Sequence, residues 1–388
     1  MDRTSVVIVG GGVIGAATAC FLARDHGLAV QVLERDPLYR RASSALSASS
    51  IRQQFTTPVN IALSQASLEF LRRVGDELEV AGERPALGLV EAGYLYLADA
   101  AHAAQLSANQ ALQRAHGANI ELLDPLALRA RWPWLDTRGI DLGAWGASGE
   151  GWFDGPALHA AFRRKAIDCG ARFVHAEACT IESRAGRALA VIDELGTRHV
   201  GERFVLAAGA WTRPLAAQLG FVLPVQARKR DVFVLSSPAT LPGCPLLIDP
   251  SGVWLRPEGR CFLAGAPPRG DDADEPPLDA IDHALFDDVI WPTLAARIPA
   301  FEALRVQGAW AGYYEMNLFD HNGVVGALPG CDNVFIACGF SGHGMQHAPA
   351  VGRALAARIA GGTPSMDLAA LAPERILRNA PLTERNVI

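Results

Sequence analysis

The sequence lacks the cysteine patterns of zinc sites and of disulfide-stabilised proteins. Its seven cysteines are an odd number, and no two of them form a C-x-x-C pair. We therefore expect no metal site, and free thiols suit a reducing compartment, so the expected location is cytoplasmic. The simplest role for these cysteines is that of small buried hydrophobic residues.

An excess of positive charge is also missing. The chain has 35 Lys and Arg against 41 Asp and Glu, which gives a formal net charge of −6 at pH 7. Without a basic surface, nucleic acid is not an expected partner. Half of the 388 residues are hydrophobic and a fifth are charged, as is typical of globular proteins, and this length predicts two domains.

No uninterrupted apolar run is long enough to span a membrane. Residues 6–23 are uncharged and apolar, but the glycines at 10–12 interrupt them. Only Asp2 and Arg3 carry charge before this run, whereas a signal peptide needs a basic leader and a small-residue cleavage site. A spanning helix needs about 20 apolar residues. The run is therefore predicted to be a strand followed by a helix.

A dinucleotide-binding pattern occupies the start of the chain. The β-branched run Ser5–Val9 predicts a buried parallel strand, and Gly10-x-Gly12-x-x-Gly15 follows it directly. Gly10 permits a tight turn, Gly12 lets the backbone approach a pyrophosphate, and Gly15 lets the next helix pack closely on the strand. A second strand ends at Glu34, nineteen residues after Gly15, where a carboxylate can bind a ribose diol. The motif itself does not distinguish NAD from FAD.

A second glycine-rich turn lies near the end of the chain. The strand Asn333–Cys338 leads into the turn Gly339–Gln346, and a helix is predicted over Ala350–Ala360. Such a turn exposes backbone N–H groups to an anionic or polar ligand edge, although a glycine turn between strand and helix needs no ligand. Two turns of this kind in one chain weaken the alternative of an NAD dehydrogenase.

Three further stretches complete the predicted organisation. The small-residue loop Leu38–Ser50 can lie against a ligand, or it is a linker. A second βαβ-like unit covers Pro156–Gly209, and strand patterns recur from Val222 to Ala264. The acidic run within Pro267–Asp288, which contains Asp271, Asp272, Asp274 and Glu275, is most simply a solvated loop followed by a helix.

With these motifs in place, the chain resembles the D-amino-acid oxidase-like superfamily of FAD-dependent oxidoreductases, and within it the sarcosine oxidases, glycine oxidases and D-amino-acid dehydrogenases. The matching stretches occur in order along the chain. They are the GGGVIGA turn with Glu34, Ser49–Phe55, Leu206–Trp211, Trp310–Gly312 and Gly339–Gly344.

That resemblance implies an α/β fold, α+β overall, in which a Rossmann-like FAD-binding domain carries an inserted β-rich, mostly antiparallel substrate domain. The FAD-binding domain would comprise residues 1–84, 141–220 and 318–388, and the substrate domain residues 85–140 and 221–317. The resemblance also implies the residues at FAD, which are Gly10, Gly12, Val13, Ile14, Gly15, Glu34, Arg35, Ser43, Ser44, Ala48, Ser49, Arg52, Gln53, Ala178, Ala208, Gly209, Trp211, Gly312, Gly339, Ser341, Gly342, His343, Gly344, Met345 and Gln346.

Two departures from the family pattern bear on the chemistry. Gly312 stands where sarcosine oxidases attach FAD through a cysteine, so non-covalent FAD is expected. Gln346 stands where those oxidases carry a lysine that helps oxygen react with reduced flavin. Because a neutral amide cannot stabilise forming superoxide, a dehydrogenase is favoured over an oxidase.

An amino-acid substrate needs a cation for its carboxylate, ideally a guanidinium. Arg52, Arg230 and Arg256 are the candidates. Arg230 matches a carboxylate-binding position of the D-amino-acid dehydrogenases, although a solvated edge of its charge run is the alternative. Tyr314 matches an active-site tyrosine of the sarcosine oxidases, and a core aromatic residue is the alternative.

The expected function is oxidation of the C–N bond of a small amino acid or N-methyl amino acid. Hydride passes from the substrate to flavin N5, the imine hydrolyses, and the electrons go to an acceptor other than oxygen, a quinone or a protein. Arg52, Arg230, Tyr314 and Gln346 are the expected substrate-binding and orienting residues. One alternative is an oxidase that produces hydrogen peroxide. Another is a non-catalytic FAD protein, since a similar mitochondrial relative assists assembly of a respiratory complex.

Overall fold

The structure is a computed structural model that describes residues 5–270 and 272–385, so that Asp271 of the predicted acidic run lies outside the described residues. The strands are β1 Val6–Val9, β2 Val30–Glu34, β3 Ser50–Ile51, β4 Tyr94–Ala98, β5 Ile120–Leu123, β6 Leu142–Gly146, β7 Gly151–Trp152, β8 Arg172–His175, β9 Ala178–Arg184, β10 Arg187–Asp193, β11 Arg198–Val200, β12 Arg203–Leu206, β13 Val225–Ser236, β14 Leu246–Ile248, β15 Trp254–Glu258, β16 Cys261–Gly265, β17 Arg305–Asn317, β18 Val324–Ala327 and β19 Val334–Cys338. The α-helices are α1 Val13–His26, α2 Ser43–Leu46, α3 Pro58–Arg72, α4 Val74–Glu77, α5 Ala103–Ala115, α6 Pro125–Arg131, α7 Gly155–Asp168, α8 Thr212–Gln218, α9 His283–Leu285, α10 Trp291–Arg297, α11 Gly344–Ile359 and α12 Glu374–Leu377.

A six-stranded sheet forms the centre of the first half of the fold. Its order is β18-β19-β12-β1-β2-β8, and all neighbours are parallel except β18 and β19. Val6 and Ile8 pack into a core with α1, α7 and α11, whereas Val7 and Val9 pack into a second core on the opposite face. Burial on both faces explains why β1 is a continuous β-branched run.

An eight-stranded sheet forms the other half, in the order β17-β13-β16-β15-β14-β4-β6-β5. Its strands pair antiparallel except β14 with β4. The predicted combination of a parallel and a mostly antiparallel sheet is therefore confirmed. β6 pairs with β4 and β5, so Leu142–Gly146 belongs with this sheet rather than on the cofactor side of the boundary predicted at residue 141.

Two helices differ from their predicted bounds. The amphipathic pattern of residues 60–78 predicts one helix, but the structure divides it at Arg73, whose backbone is not helical, into α3 and α4. Helix α11 begins at Gly344, six residues before the predicted Ala350, and contains Pro349. Its first turns, Met345–Gly352, are fully buried, and this packing offsets the hydrogen bond that proline cannot donate. Among the described residues, no helix is long and apolar enough to cross a membrane.

Candidate cofactor and substrate site

A large cavity lies between the two sheets. It encloses about 2340 Å³ when the solvent at its open end is included. Its wall on one side is built by the turns after β1, β12 and β19, and on the other side by the faces of β13, β14, β15 and β17. The volume that compares with small-molecule sites, which commonly enclose 300–1,000 Å³, is about 360 Å³, so the cavity can hold a small-molecule ligand.

The turn after β1 has no room for side chains where it turns. Gly10 has a φ of +100°, and a Cβ there would lie 2.4 Å from the carbonyl oxygen of Ala207. A Cβ on Gly15 would lie 1.9 Å from the carbonyl oxygen of Gly10. Gly10 and Gly12 line the cavity, whereas Gly15 lies behind the turn and packs α1 against it. The three glycines thus occupy the positions that close backbone approach requires.

The start of α1 offers N–H groups to the cavity. Its first turn carries no acidic residue, and its N-cap, Gly12, makes no side-chain cap. Ser44 Oγ accepts a hydrogen bond from the Val13 N–H at 2.8 Å, which ties the small-residue loop to this helix end. A helix N-terminus with no acidic residue in its first turn suits the negative charge of a pyrophosphate.

Glu34 is held in place at the end of β2. Its Oε2 accepts from the Gly11 N–H at 2.8 Å, and its Oε1 accepts from the Asp36 N–H at 2.9 Å. Next to it, the Arg35 guanidinium lies 4.1 Å from the Trp211 ring centroid. Both residues line the same end of the cavity, together with Ala178. A fixed carboxylate beside flat surfaces fits a ribose and its base.

The turn after β19 is attached to β17. Ser341 Oγ accepts from the Asn317 N–H at 3.0 Å, and a Cβ on Gly342 would lie 2.5 Å from the Tyr314 ring. Gly339 does not reach the cavity, because it packs against Val225 of the second sheet. This turn therefore brings the start of α11 directly against the side chains of the eight-stranded sheet.

Arg52 is buried between this turn and the loop around β3. Its guanidinium donates to the Gln54 carbonyl at 2.7 Å and lies 3.1 Å from His343 Nε2. Burial and the nearby guanidinium lower the pKa of His343 well below its ordinary value, so the imidazole is neutral and can accept this bond. The Arg52 N–H donates to Gln346 Oε1 at 2.8 Å. Gln53, in contrast, points away from the cavity, towards the Gly149 carbonyl.

The substrate-side wall carries two further arginines. Arg230 on β13 lies 5.4 Å from the Tyr314 ring centroid and forms a salt bridge with Asp272 at 2.9 Å. Arg256 on β15 donates to the Ala48 carbonyl at 2.7 Å and pairs with Glu258. The three candidate arginines therefore line one cavity, and each already contacts acceptors of the protein itself.

A buried glutamate on the cavity wall was not predicted from sequence. Glu315 Oε1 accepts from the Phe340 N–H at 3.3 Å, whereas Oε2 has no hydrogen-bond partner among residues 5–270 and 272–385. Burial raises the pKa of Glu315 to about 7. No local signal in the sequence marks it, because it follows Tyr314 in a strand, where successive side chains point to opposite faces.

Nearly all the residues predicted from sequence line this one cavity. The exceptions are Gly15, Gln53 and Gly339, which support its wall from behind. Further lining residues that sequence reasoning did not single out are Tyr39, Arg41, Tyr94, Trp254, Tyr313 and Glu315. The glycine cradle, the helix start and the fixed carboxylate fit FAD, for which Gly12, Ser44, Glu34 and the turn 341–346 would be the holding groups.

Comparison with known proteins agrees with this geometry. A family model described as FAD dependent oxidoreductase matches residues 5–358. The chain is 41% identical to FAD-dependent oxidoreductase domain-containing protein 1 of Xenopus laevis, over all of this chain and 85% of that protein. It is 26% identical to a glycine oxidase of Bacillus licheniformis, over 92% of this chain and 94% of that protein.

Solved structures show the same fold. L-proline dehydrogenase from P. horikoshii superposes with a TM-score of 0.86 at 24% identity, over 98% of this chain and 99% of that chain. The chain therefore belongs to the FAD-dependent oxidoreductase family, and it is an oxidoreductase that uses FAD.

Proposed function

We propose that this protein oxidises the C–N bond of a small amino acid or N-methyl amino acid and passes the electrons to an acceptor other than oxygen. The observation that carries the proposal is the contact between the cofactor-side turn and the substrate-side wall. Gly342 abuts the Tyr314 ring, and Arg230 lies beside the same ring. A carboxylate bound at Arg230 would thus lie within one side-chain length of the turn.

Each side chain has a distinct role in this proposal. The Arg230 guanidinium binds the substrate carboxylate through two parallel N–H bonds. The Tyr314 hydroxyl orients the substrate, and burial raises the pKa of this phenol, so it stays a neutral donor. The N-terminal end of α11 stabilises negative charge at its turn. Bound FAD supplies the acceptor for the hydride that leaves the substrate α-carbon, and water hydrolyses the resulting imine.

The names of relatives support the substrate class. The chain shares 25% identity over 98% of its length with the sarcosine oxidase subunit beta of Rhizobium meliloti. Glycine oxidase and L-proline dehydrogenase, named above, also carry small amino acids in their names. These are properties of those proteins, and they make small amino acids and N-methyl amino acids the first compounds to test.

The neutral side chain of Gln346 favours a dehydrogenase. No lysine is among the described residues that line the cavity, and Gln346 is bound to the Arg52 backbone. Arg230, Arg256 and Arg41 pair with carboxylates of the chain. Without a lysine at position 346, where sarcosine oxidases carry one, oxygen reduction lacks that source of electrostatic stabilisation.

Non-covalent FAD is expected because Gly312 has no side chain that could bond to the flavin. A Cβ there would lie 3.0 Å from the Leu46 Cβ, so a larger side chain would need Leu46 to shift. We expect acid denaturation to release all the flavin into the supernatant, and flavin that remains on the precipitated chain would contradict this expectation.

The proposal is tested by anaerobic titration of the FAD-loaded protein with D-, L- and N-methyl amino acids. Bleaching of the flavin absorbance by one group establishes amine oxidation and names the substrate. Admission of air then shows whether oxygen is the electron acceptor. Slow return of the flavin absorbance supports a dehydrogenase, and rapid return supports an oxidase. A flavin that no amino acid bleaches would overturn the proposed substrate class.

A further inference from the structure

The acidic segment Asp272–Pro276 lies against residues that line the cavity. It is the solvated loop that the sequence predicts, and in addition each of its carboxylates pairs with an arginine. Asp272 contacts Arg230 at 2.9 Å, Asp274 contacts Arg213 at 2.8 Å and Glu275 contacts Arg41 at 2.9 Å. The segment is therefore attached to both halves of the fold.

Other bonds fix the segment next to β13 independently of Asp272. The Glu275 N–H donates to the Ala227 carbonyl at 2.8 Å, and the Ala227 N–H donates to Asp274 Oδ1 at 2.9 Å. Trp211 Nε1 donates to Glu275 Oε1 at 3.0 Å. Because these contacts hold the segment, the Asp272 side chain could leave its partner without displacement of the whole loop.

The contact between Asp272 and Arg230 has the geometry of a bound carboxylate. Nη1 donates to Oδ1 at 3.1 Å, and Nη2 donates to Oδ2 at 2.9 Å. The Arg230 side chain is 16% exposed and lines the cavity. Two parallel N–H bonds occupy the fork of a guanidinium, so a second carboxylate cannot bind in the same way at the same time.

We propose that Asp272 is an intramolecular competitor of the substrate carboxylate, which must displace it from Arg230 in order to bind. This inference rests on the proposed function, in which Arg230 is the carboxylate anchor. Asp272 then sets an affinity threshold, because it raises the dissociation constant of every carboxylate ligand. Only ligands that make further contacts in the cavity, through an amine or a side chain, bind strongly enough to replace it.

The test measures carboxylate binding to the FAD-loaded protein. Acetate and benzoate, which have no amine to oxidise, are titrated while the flavin absorbance spectrum is recorded. Asp272→Asn removes the competing charge with little change of shape, and we expect the dissociation constants to fall about tenfold. Asp272→Ser, which is too short to reach Arg230, must give the same direction of change. Asp279→Asn is the matched control, because Asp279 is exposed and outside the segment.

Combination with Arg230→Ala separates this inference from the proposed function. If the inference holds, Asp272→Asn does not lower the dissociation constants of acetate and benzoate when it is combined with Arg230→Ala. As a single substitution, it lowers the KM of an oxidisable substrate while kcat is unchanged. If acetate and benzoate bind both Asp272 variants as they bind the parent protein, but bind Arg230→Ala more weakly, Asp272 does not compete with the substrate. Arg230 then remains the carboxylate anchor. Unchanged binding in Arg230→Ala overturns the anchor itself, and the inference with it.

Discussion

At the scale of single residues, the cavity wall combines fixed groups with one unsatisfied group. Glu34 uses both carboxylate oxygens to accept backbone N–H bonds, and each oxygen keeps a lone pair for a further donor. Glu315 has an oxygen without a partner among the described residues. Fixed acceptors suit recognition, whereas an unpartnered buried carboxylate affects stability and its pH dependence.

Glu34→Gln should weaken FAD binding. The substituted amide group would place its NH₂ against the N–H of either Gly11 or Asp36, so one bond is lost and the acceptor for the ribose is displaced. Loss of hydrogen bonds to a charged acceptor predicts an FAD dissociation constant that is higher by about tenfold or more. Titration of the apoprotein by flavin fluorescence measures it, with the exposed Glu302→Gln as control. Equal affinity of Glu34→Gln and the parent protein would show that this carboxylate does not hold the cofactor.

Glu315 makes the apoprotein less stable as the pH rises. Burial raises its pKa to about 7, above the ordinary 4.5, so the folded state binds the proton more tightly than the unfolded chain does. The free energy of unfolding therefore falls between about pH 4.5 and pH 7, and Glu150, whose pKa burial also raises to about 7, acts in the same direction.

Glu315→Gln should remove the Glu315 contribution to this loss. The amide oxygen can keep the bond from the Phe340 N–H, and no charge is buried. We expect the variant to exceed the parent apoprotein by on the order of 2 kcal/mol in free energy of unfolding at pH 8. At pH 5 the two should be nearly equal. Urea denaturation at both pH values measures the difference, and a variant that is less stable at pH 8 would contradict the argument.

At the scale of elements, the two glycine turns depend on one helix pair. Helices α1 and α11 begin at the two turns and cross where Gly352 meets Ala17. A Cβ on Gly352 would lie 2.8 Å from the Ala17 Cβ and 3.0 Å from the Ala17 carbonyl carbon. The small residue at this crossing thus sets the distance between both helix starts and the cavity.

Gly352→Ala should therefore destabilise the fold and weaken FAD binding, although Gly352 does not line the cavity. The overpacked contact predicts a loss of about 1–3 kcal/mol in free energy of unfolding. Denaturant unfolding and flavin titration measure the two effects. Gly362→Ala is the control, because its nearest neighbouring atom would lie 3.5 Å away. Similar stability of both variants would show that the crossing tolerates a wider spacing.

Elements also show where local patterns stop being informative. The residues Arg172–His175 predict a strand, and it is observed with the same bounds, because the signal comes from residues that are neighbours in the chain. The early start of α11 was missed because Pro349 is a helix breaker by local rules, and only its burial overrides them. The solvated loop predicted for the acidic segment is confirmed, but its ion pairs were not predicted because the arginine partners are distant in sequence.

At the scale of the whole molecule, the cofactor site links the two sheets. Residues of both sheets line the cavity, from Glu34 at one end to Tyr314 and Arg256 at the other. A ligand that binds the folded state and not the unfolded chain stabilises the folded state, and here it would contact both halves. Loss of the cofactor should accordingly weaken the packing of one half against the other.

FAD should raise the unfolding temperature of the apoprotein in a single cooperative transition. At a free concentration 100 times the dissociation constant, the stabilisation is about 2.7 kcal/mol. FMN, which lacks the adenosine that would reach Glu34 and Trp211, should give a smaller shift at the same concentration. Differential scanning calorimetry measures both, and equal shifts for FMN and FAD would place the adenosine outside the cavity.

The sequence by itself determined the dinucleotide-binding turn and the type of fold. Glycine spacing and β-branched strands act within a few residues of one another, so local sterics and hydrogen bonding dictate them. Tertiary structure alone decided that Asp272 occupies Arg230, that a neutral His343 accepts from Arg52, and that Glu315 faces the cavity with an unpartnered oxygen. Those contacts join residues from 25 to 291 positions apart, and no local pattern encodes which distant side chains the folded sheets bring together.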